Sequence, residues 1–401
     1  MNLQVLPKEF VQALSVLEKI KSAGYEAYFV GGSVRDALLN RQIHDVDIAS
    51  SAYPEEIKQI FPYTIDVGIE HGTILVLMGK EQSEQYEVTT FRTESTYTDY
   101  RRPDAVDFVR DLGEDLKRRD FTINAFAMDT DGTIIDQFDG LTDLKEKCIR
   151  AVGQATDRFN EDALRIMRAM RFSASLDFDI EKHTLKAMKD KSHLLEKISI
   201  ERSFIELDKL LMADSWKKGI KILLETEAYK YLPDLQADAL EKLLSNITDD
   251  FIFQTSEQAW ATLLIGYEKI NVKSFLKKWK VSNDFMKTVS ELVQAYHLSE
   301  WDLSALYRFG KANLELVEHL KVAQGKNIDS DLLDRLDEEL QIHDKSEIVV
   351  SGNALIQELN IKAGPQLGQI LKSIEENIVE NKLNNDKNEI FDFVRSKFEN
   401  L

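Results

Sequence analysis

The spacing of apolar residues changes character about a third of the way along the chain. In the first 150 residues, short runs rich in β-branched and aromatic side chains recur at residues 27–30, 45–48, 73–77 and 86–91. Their length and composition predict strands, here of one sheet. Between the first two, residues 34–39 predict a short helix, with Asn40 able to close it in a left-handed conformation. Pro54, followed by Glu55 and Glu56 and then by Ile57, Ile60 and Phe61, predicts a helix that starts sharply at the proline. Asp131-Gly132 sits between two apolar runs and predicts a hairpin turn. Beyond residue 155 the spacing becomes three and four, as in Leu164, Met167, Met170 and in Phe204, Leu207, Leu210, Leu211. That is the period of amphipathic helices. No tandem repeat or sustained heptad runs through them, so packed helical hairpins are expected rather than a coiled coil. The fold class is therefore α+β, a mixed α/β N-terminal portion followed by an all-α remainder.

Composition narrows the class. The 401 residues are 43% apolar and 30% charged, with no uninterrupted apolar run near the roughly 20 residues a membrane helix needs. Cys148 is the only cysteine, which excludes an intrachain disulfide and a cysteine-based zinc cluster and fits a reducing compartment. The N-terminus shows no basic flank followed by an apolar stretch, so a cytoplasmic location is expected. A net charge of -19 argues against nucleic-acid binding by the molecule as a whole, since phosphate contacts draw on Lys and Arg. Cations nevertheless cluster at Arg101-Arg102, at Lys117-Arg118-Arg119 and along Arg158, Arg165, Arg168 and Arg171. A positive strip on an acidic body is compatible with that pattern.

The densest chemistry lies in Gly31-Gly32-Ser33-Val34-Arg35-Asp36, followed by His44-Asp45-Val46-Asp47-Ile48. Two glycines let the backbone approach a ligand, the helix start presents N–H groups to an anion, and Arg35 is placed to clamp the same phosphates. Residues two apart on a strand share a face, so Asp45 and Asp47 point together while Val46 and Ile48 point inward. Such a carboxylate pair beside a phosphate-binding turn is what two-metal phosphoryl transfer needs. A Gly-Gly turn alone, or an Asp-x-Asp alone, is far more often a plain turn or a solvated strand edge. The order and spacing of the two carry the functional reading. Glu87, alternating with Val88 on another predicted strand, is a weaker candidate for a third carboxylate, because the spacing fixes no partner for it. The dipeptides His44-Asp45 and His343-Asp344 suggest a metal phosphohydrolase only superficially, because the further spaced ligands are missing.

These residues resemble the nucleotidyltransferase superfamily of DNA polymerase beta. Two further segments resemble class II, bacterial-type CCA-adding enzymes and their relatives the poly(A) polymerases. Arg118-Arg119-Asp120-Phe121-Thr122-Ile123-Asn124-Ala125 is similar to the family's nucleotide-contacting motif. Arg119 is its candidate phosphate or sugar contact, and Asp120 is a candidate helix cap. The run from Arg158 to Phe172 is similar to the nucleobase-reading motif, in which Asp162 and Arg165 act as a protein template and Arg168 and Arg171 continue at three-residue steps. As plain helix residues, Asp162 and Arg165 would be i,i+3 neighbours in a surface salt bridge. As a template, a carboxylate and a guanidinium suit cytosine and adenine, which both place an amino donor beside a ring acceptor.

The resemblance implies two Mg²⁺ ions held by Asp45 and Asp47, and nucleotide contacts from Gly32, Arg35, Arg119, Asp162, Arg165, Arg168 and Arg171. It further implies CTP and ATP as substrates and tRNA as partner. A homodimer is compatible with the chain. The polar segment 93–106 resembles the flexible loop of complete CCA-adding enzymes, and residues 198–207 resemble the family's helix-stabilising motif, with Ser199 as cap. Segments 351–356 and 361–371 resemble the part that grips the tRNA elbow. The implied organisation is a head over residues 1–150, a neck over 151–215, a body over 216–330 and a tail over 331–401. A poly(A) polymerase, a partial CC- or A-adding enzyme and a catalytically silent RNA-binding protein are the alternatives.

Overall fold

The computed structural model describes residues 2–79, 83–94 and 106–397. Most of the segment resembling the family's loop, residues 95–105, lies outside the described residues. The chain forms two compact units, Met1–Ala237 and Asp238–Leu401.

Up to residue 136 the first unit has nine described strands: β1 (Ala27–Val30), β2 (Asp47–Ser50), β3 (Thr64–Gly68), β4 (Thr73–Met78), β5 (Glu84–Thr90), β6 (Arg92–Glu94), β7 (Val106–Phe108), β8 (Phe126–Met128) and β9 (Ile134–Asp136). Seven of them make one sheet in the order β3-β4-β5-β2-β1-β8-β9, and β6 pairs with β7 separately. All four expected runs contribute to the large sheet, although β2 begins only at Asp47, so that Asp45 and Val46 lie before it, and β5 ends before Phe91. Only the β2/β5 pair within it is parallel, aligning Asp47 with Glu87 and Ile48 with Val88. Alternation along the strands divides the interior in two. Phe29 and Ile48 join one apolar cluster, while their neighbours Val30 and Ala49 join another on the opposite face. A sheet covered on both faces follows. Helix α1 (Lys8–Ser22) buries Phe10, Ala13, Val16, Leu17 and Ile20 at helical spacing in the first cluster.

Local signals set the element ends. Helix α2 (Gly32–Leu38) follows Gly31, whose φ of 72° suits glycine, and Asn40 adopts the left-handed φ of 53° beyond its end. Helix α3 (Pro54–Ile60) opens at the proline, and the Glu56 carboxylate accepts from the Tyr53 backbone N–H at 2.6 Å. Gly132, at φ 82°, makes the turn between β8 and β9.

Helices α4 (Leu112–Lys117) and α5 (Gly140–Lys145) complete the α/β portion. Then come α6 (Ala155–Glu161), α7 (Leu164–Leu176), α8 (Lys182–Lys191), α9 (Ile200–Leu211) and α10 (Trp216–Glu225). Helix α7 packs against both α9 and α10, so the helix expected to open the body belongs to the first compact unit. Two strand residues, Cys148–Ile149 (β10), pair in parallel with Asp179–Ile180 (β11). Ser199 stands at the N-cap of α9 without a side-chain capping bond, contrary to the capping role expected for it.

The second unit is helical from Ala237–Ser245 to Lys387–Lys397. Its interior includes Trp260 and Trp279, packed edge to face with centroids 4.9 Å apart. Ser351 caps the helix Gly352–Leu359 through the Ala354 N–H at 3.3 Å. Among the described residues no helix is long and apolar enough to cross a membrane.

Gly140 gives a direct test of packing beneath the site. A Cβ there would press on the Thr122 carbonyl and stand 2.8 Å from the Phe126 ring, both held by backbone structure. Gly140→Ala is expected to cost about 1–3 kcal/mol by overpacking. Thermal unfolding followed by circular dichroism should show the midpoint falling by several degrees.

Candidate active site

A cavity of about 520 Å³ opens between the sheet and the first helices after it, with Gly31, Asp47, Arg119, Asp162, Arg165 and Arg168 among its walls. Residues from motifs more than a hundred positions apart meet there. Gly32, Arg35, Arg118, Asp120, Asn124 and Arg202 also face it.

The floor is the turn after β1. A side chain at Gly31 would stand 3.0 Å from an Arg119 guanidinium nitrogen and 3.6 Å from an Asp47 carboxylate oxygen, so the missing Cβ keeps the space between cation and carboxylate open. Ser33 donates from Oγ to the Val30 carbonyl at 3.0 Å and locks the turn.

Asp47 begins β2, and Asp45 lies exposed just before the strand. Val46 and Ile48 pack into the core, in keeping with the expected alternation. Glu87 stands across the ladder from Asp47. Burial, Glu87 and Asp45 together push the Asp47 carboxyl above the usual carboxylate range, opposed by Arg119. Glu87, the weaker candidate in the sequence, is thus brought to the carboxylate pair by strand register.

On the other wall, Asp115 is fully buried and accepts from Arg118 at 2.8 and 3.0 Å and from Arg119 at 3.0 Å. Burial alone would raise its carboxyl; the two guanidinium groups hold it below the ordinary range. Arg119 Nε is buried and meets no partner among the described residues. Such a buried donor without a protein partner, on a residue that lines the cavity, calls for a ligand or an ordered water nearby.

Asp120 does not cap a helix. Its Oδ1 accepts from the Phe121 N–H at 2.8 Å and from Asn124 at 3.0 Å, and its Oδ2 accepts from Arg168 at 2.6 and 2.8 Å. The following turn, Thr122–Asn124, is a single 3₁₀ turn with Phe121 at its N-cap. Asn124 passes the network on by accepting from Arg35 at 2.6 Å. Arg35, expected to clamp phosphate, lies at the cavity wall with its guanidinium directed to Asn124 and, at 2.9 Å twice, to Asp36.

Asp162 and Arg165 are not i,i+3 partners on one helix. Asp162 is extended, at φ -137° and ψ 103°, in the break between α6 and α7. Its Oδ1 accepts from the Leu164 N–H at 3.0 Å and its Oδ2 from Arg202 at 2.7 Å. Capping α7 from outside gives the carboxylate a partner that a mid-helix position lacks. Arg165 instead pairs with Glu161 at 2.7 Å and donates to the Arg118 carbonyl at 2.8 Å. Arg171 is not among the cavity walls: its Nε donates to Glu206 at 2.6 Å and its guanidinium lies 4.1 Å from the Phe172 ring centre. Arg35 and Arg168 lie over the same ring at 5.1 and 5.2 Å, so Phe172 is the apolar support for three guanidinium groups.

Sequence reasoning passed over Asp115, Phe172, Arg202 and Glu206 as site residues. Arg202 NH1 is buried without a partner among the described residues. Its segment reads as a helix start, and nothing in that pattern announces a cavity.

Comparison with known proteins gives this arrangement a context. The family model of the poly A polymerase head domain matches residues 27–150. That of the probable RNA and SrmB-binding site of polymerase A matches residues 177–238, and that of tRNA nucleotidyltransferase domain 2 matches residues 251–394. Fold, cavity and family models define a nucleotidyltransferase. The chain is 63% identical over 399 residues to a CCA-adding enzyme of Lactococcus lactis, covering 100% of this chain and 99% of that one. It is 56% identical over 405 residues to one of Streptococcus suis, covering both fully. The crystal structure of the Bacillus stearothermophilus CCA-adding enzyme in complex with CTP superposes with a TM-score of 0.87 at 36% identity, covering 99% and 100% of the two chains. The chain belongs to the CCA-adding enzyme family of tRNA nucleotidyltransferases.

The Asp120 network has a pH signature. Burial alone would raise this carboxyl, but Arg168, Asn124 and Arg165 lower it from 3.8 to about 2. A depressed carboxyl contributes stability above its unfolded value, and that contribution is lost as pH falls through the folded value. Relative to Asp120→Asn, the protein should be more stable by about 2 kcal/mol at neutral pH, the gap closing between pH 4 and about 2. Urea unfolding of both proteins across that range checks it. A gap independent of pH would mean that the Asp120 carboxyl is not depressed in the folded state.

Proposed function

We propose that the chain builds and repairs the 3′-terminal CCA of tRNA, taking cytidylate from CTP and adenylate from ATP and releasing pyrophosphate. The observation that carries this reading is the single cavity in which Asp47 faces Arg119 and Gly31 on one side and Asp162 lies on another. Triphosphate chemistry has its place at one end and base selection at the other. The full-length likeness to proteins named CCA-adding enzymes supports the reaction, and the relative solved with CTP supports the substrate.

The carboxylates suit magnesium. Asp45, Asp47 and Glu87 offer hard oxygens, and a cation would offset both the burial that chiefly raises the Asp47 carboxyl and the smaller repulsion from Glu87 and Asp45. Among the described residues no three His, Cys, Asp or Glu side chains already form a metal-binding group. That agrees with an ion which completes its shell with water and substrate phosphates. Asp45 and Asp47 would hold two Mg²⁺ ions, with Glu87 beside them. When bound, the ions supply the positive charge that activates the tRNA 3′-hydroxyl and steadies the departing pyrophosphate.

The remaining work falls to the protein's own groups. Gly31 and Gly32 let the triphosphate approach the backbone, and Arg119 donates to its phosphate or ribose oxygens. Asp162 spends one contact on Leu164 and one on Arg202, and a carboxylate has about four lone-pair positions. It retains acceptor capacity for the amino group of cytosine or adenine, while Arg165 donates to the adjacent ring nitrogen. Arg35, Arg168 and Arg171 act by holding this wall through Asp36, Asn124, Asp120 and Glu206. Within the chain, residues 1–150 serve as the catalytic head and 151–215 as the nucleobase-reading neck, while 216–330 and 331–401 serve as body and tail toward tRNA.

Replacing Asp47 by Ala is expected to reduce incorporation of radiolabelled CTP into tRNA lacking its 3′ end below about a tenth of wild type, with tRNA affinity unchanged. Turnover above that level would count against the metal assignment.

Asp162→Ala is expected to raise use of UTP and GTP relative to CTP and ATP by roughly ten- to a hundredfold, the effect of losing about 1.5–3 kcal/mol of charge-assisted contact. Asp162→Asn, which keeps an acceptor for the Leu164 N–H, controls for the lost cap. Four-nucleotide competition assays read both variants, and unaltered selectivity in each would remove Asp162 from base reading.

A further inference from the structure

A second cleft, of about 360 Å³, lies wholly within the second unit, among the helices Val272–Lys278, Asn283–His297 and Leu303–Phe309. Its charged walls are Lys273, Lys277, Lys287 and Arg308 against one carboxylate, Glu291. The surrounding chain is acidic, with a net charge of -19, yet residues 271–280 hold Lys273, Lys277, Lys278 and Lys280 and no acidic residue. Lys273 and Lys277 are four apart on one helix and so share a face. Among the described residues neither has an ion-pair partner, although carboxylates are abundant on this chain. Glu291 has Lys287 at 3.9 Å and the Asn313 amide at 3.5 Å.

We propose that this cleft docks the sugar-phosphate backbone of the RNA substrate, an inference that rests on the tRNA reading given above. Charge complementarity selects an anionic occupant. The other walls select backbone over bases: among the described residues Met286 is the only large apolar side chain lining the cleft and no aromatic ring lines it, so it lacks a platform on which bases stack. Asn283 and Gln294 add neutral amide groups of the kind that contact phosphate and sugar oxygens. Arg308 is steadied by donating to Gln294 at 2.6 Å and lies 4.9 Å from the Phe309 ring centre. Contacts of this kind hold an RNA in register without reading its sequence.

The test uses the full-length protein with Lys273→Gln and Lys277→Gln combined, and Arg308→Gln as a second variant. Fluorescence anisotropy gives Kd for a tRNA lacking its 3′ CCA over a series of KCl concentrations. Each cation lost should lower the slope of log K against log salt by about 1, so the double variant loses about 2 and weakens roughly tenfold. The loss should be equal for tRNAs of different sequence, with KM for CTP and kcat at saturating tRNA unchanged and the melting temperature preserved. Unchanged Kd and slope in both variants would overturn the docking role while wild-type addition of CTP to tRNA leaves the function standing. Unchanged tRNA affinity with lost binding to polyglutamate would reassign the cleft to acidic protein segments. A wild-type protein that neither binds nor extends tRNA would instead overturn the functional reading on which the inference rests.

Discussion

The bond on which the site depends is the ion pair between Asp120 and Arg168. It joins the turn after α4 to the middle of α7, and both oxygens of the carboxylate are committed. From it the network runs through Asn124 to Arg35 and on to Asp36 at the start of the chain's first α/β unit. A buried pair of this kind contributes modestly to net stability, because desolvation offsets most of the attraction, whereas removing one partner leaves an uncompensated charge. Its value here is geometric. Arg119 precedes Asp120, and Arg165 lies one turn before Arg168, so one pair ties the Arg119 and Arg165 walls of the cavity together.

The same constraint explains how an acidic chain carries so cationic a site. Each arginine on α7 meets a carboxylate: Arg165 has Glu161, Arg168 has Asp120 and Arg171 has Glu206. Phe172 gives three of the guanidinium groups of this wall one apolar surface to lie against. Carboxylates are shared, Glu161 between Arg158 and Arg165 and Asp115 between Arg118 and Arg119, and the buried donors Arg119 Nε and Arg202 NH1 meet no partner among the described residues. Across from it the imbalance is reversed, with Asp47 on the cavity wall, Glu87 beside it on the ladder and Asp45 just before the strand. A nucleoside triphosphate with its cations matches both excesses at once, and this is why the nucleotidyltransferase reading fits the whole cavity rather than one motif.

What the amino-acid pattern determined alone was everything encoded by short-range periodicity and turn chemistry. Alternation in residues 27–30 and 45–48 placed the strands and turned Asp47 away from the core; Gly31 and Gly32, Asn40, Pro54 and Gly132 marked the turns and helix ends where the structure has them. The local motifs also marked Gly32, Asp47, Arg119, Asp162, Arg165 and Arg168, all of which the fold brings to one cavity. Tertiary structure decided partners. Glu87 stands beside Asp47 because β2 and β5 pair in parallel with that register, and register between distant strands leaves no trace in either strand's own pattern. Asp162 leaves the helix because capping α7 and pairing with Arg202 satisfy it better than a place in the helix interior, and that choice needs a residue forty positions away. Arg35 and Arg171 take their carboxylate partners Asp36 and Glu206 for the same reason: a guanidinium goes to whichever carboxylate the fold sets beside it, and long-range proximity is a property of packing, not of spacing along the chain.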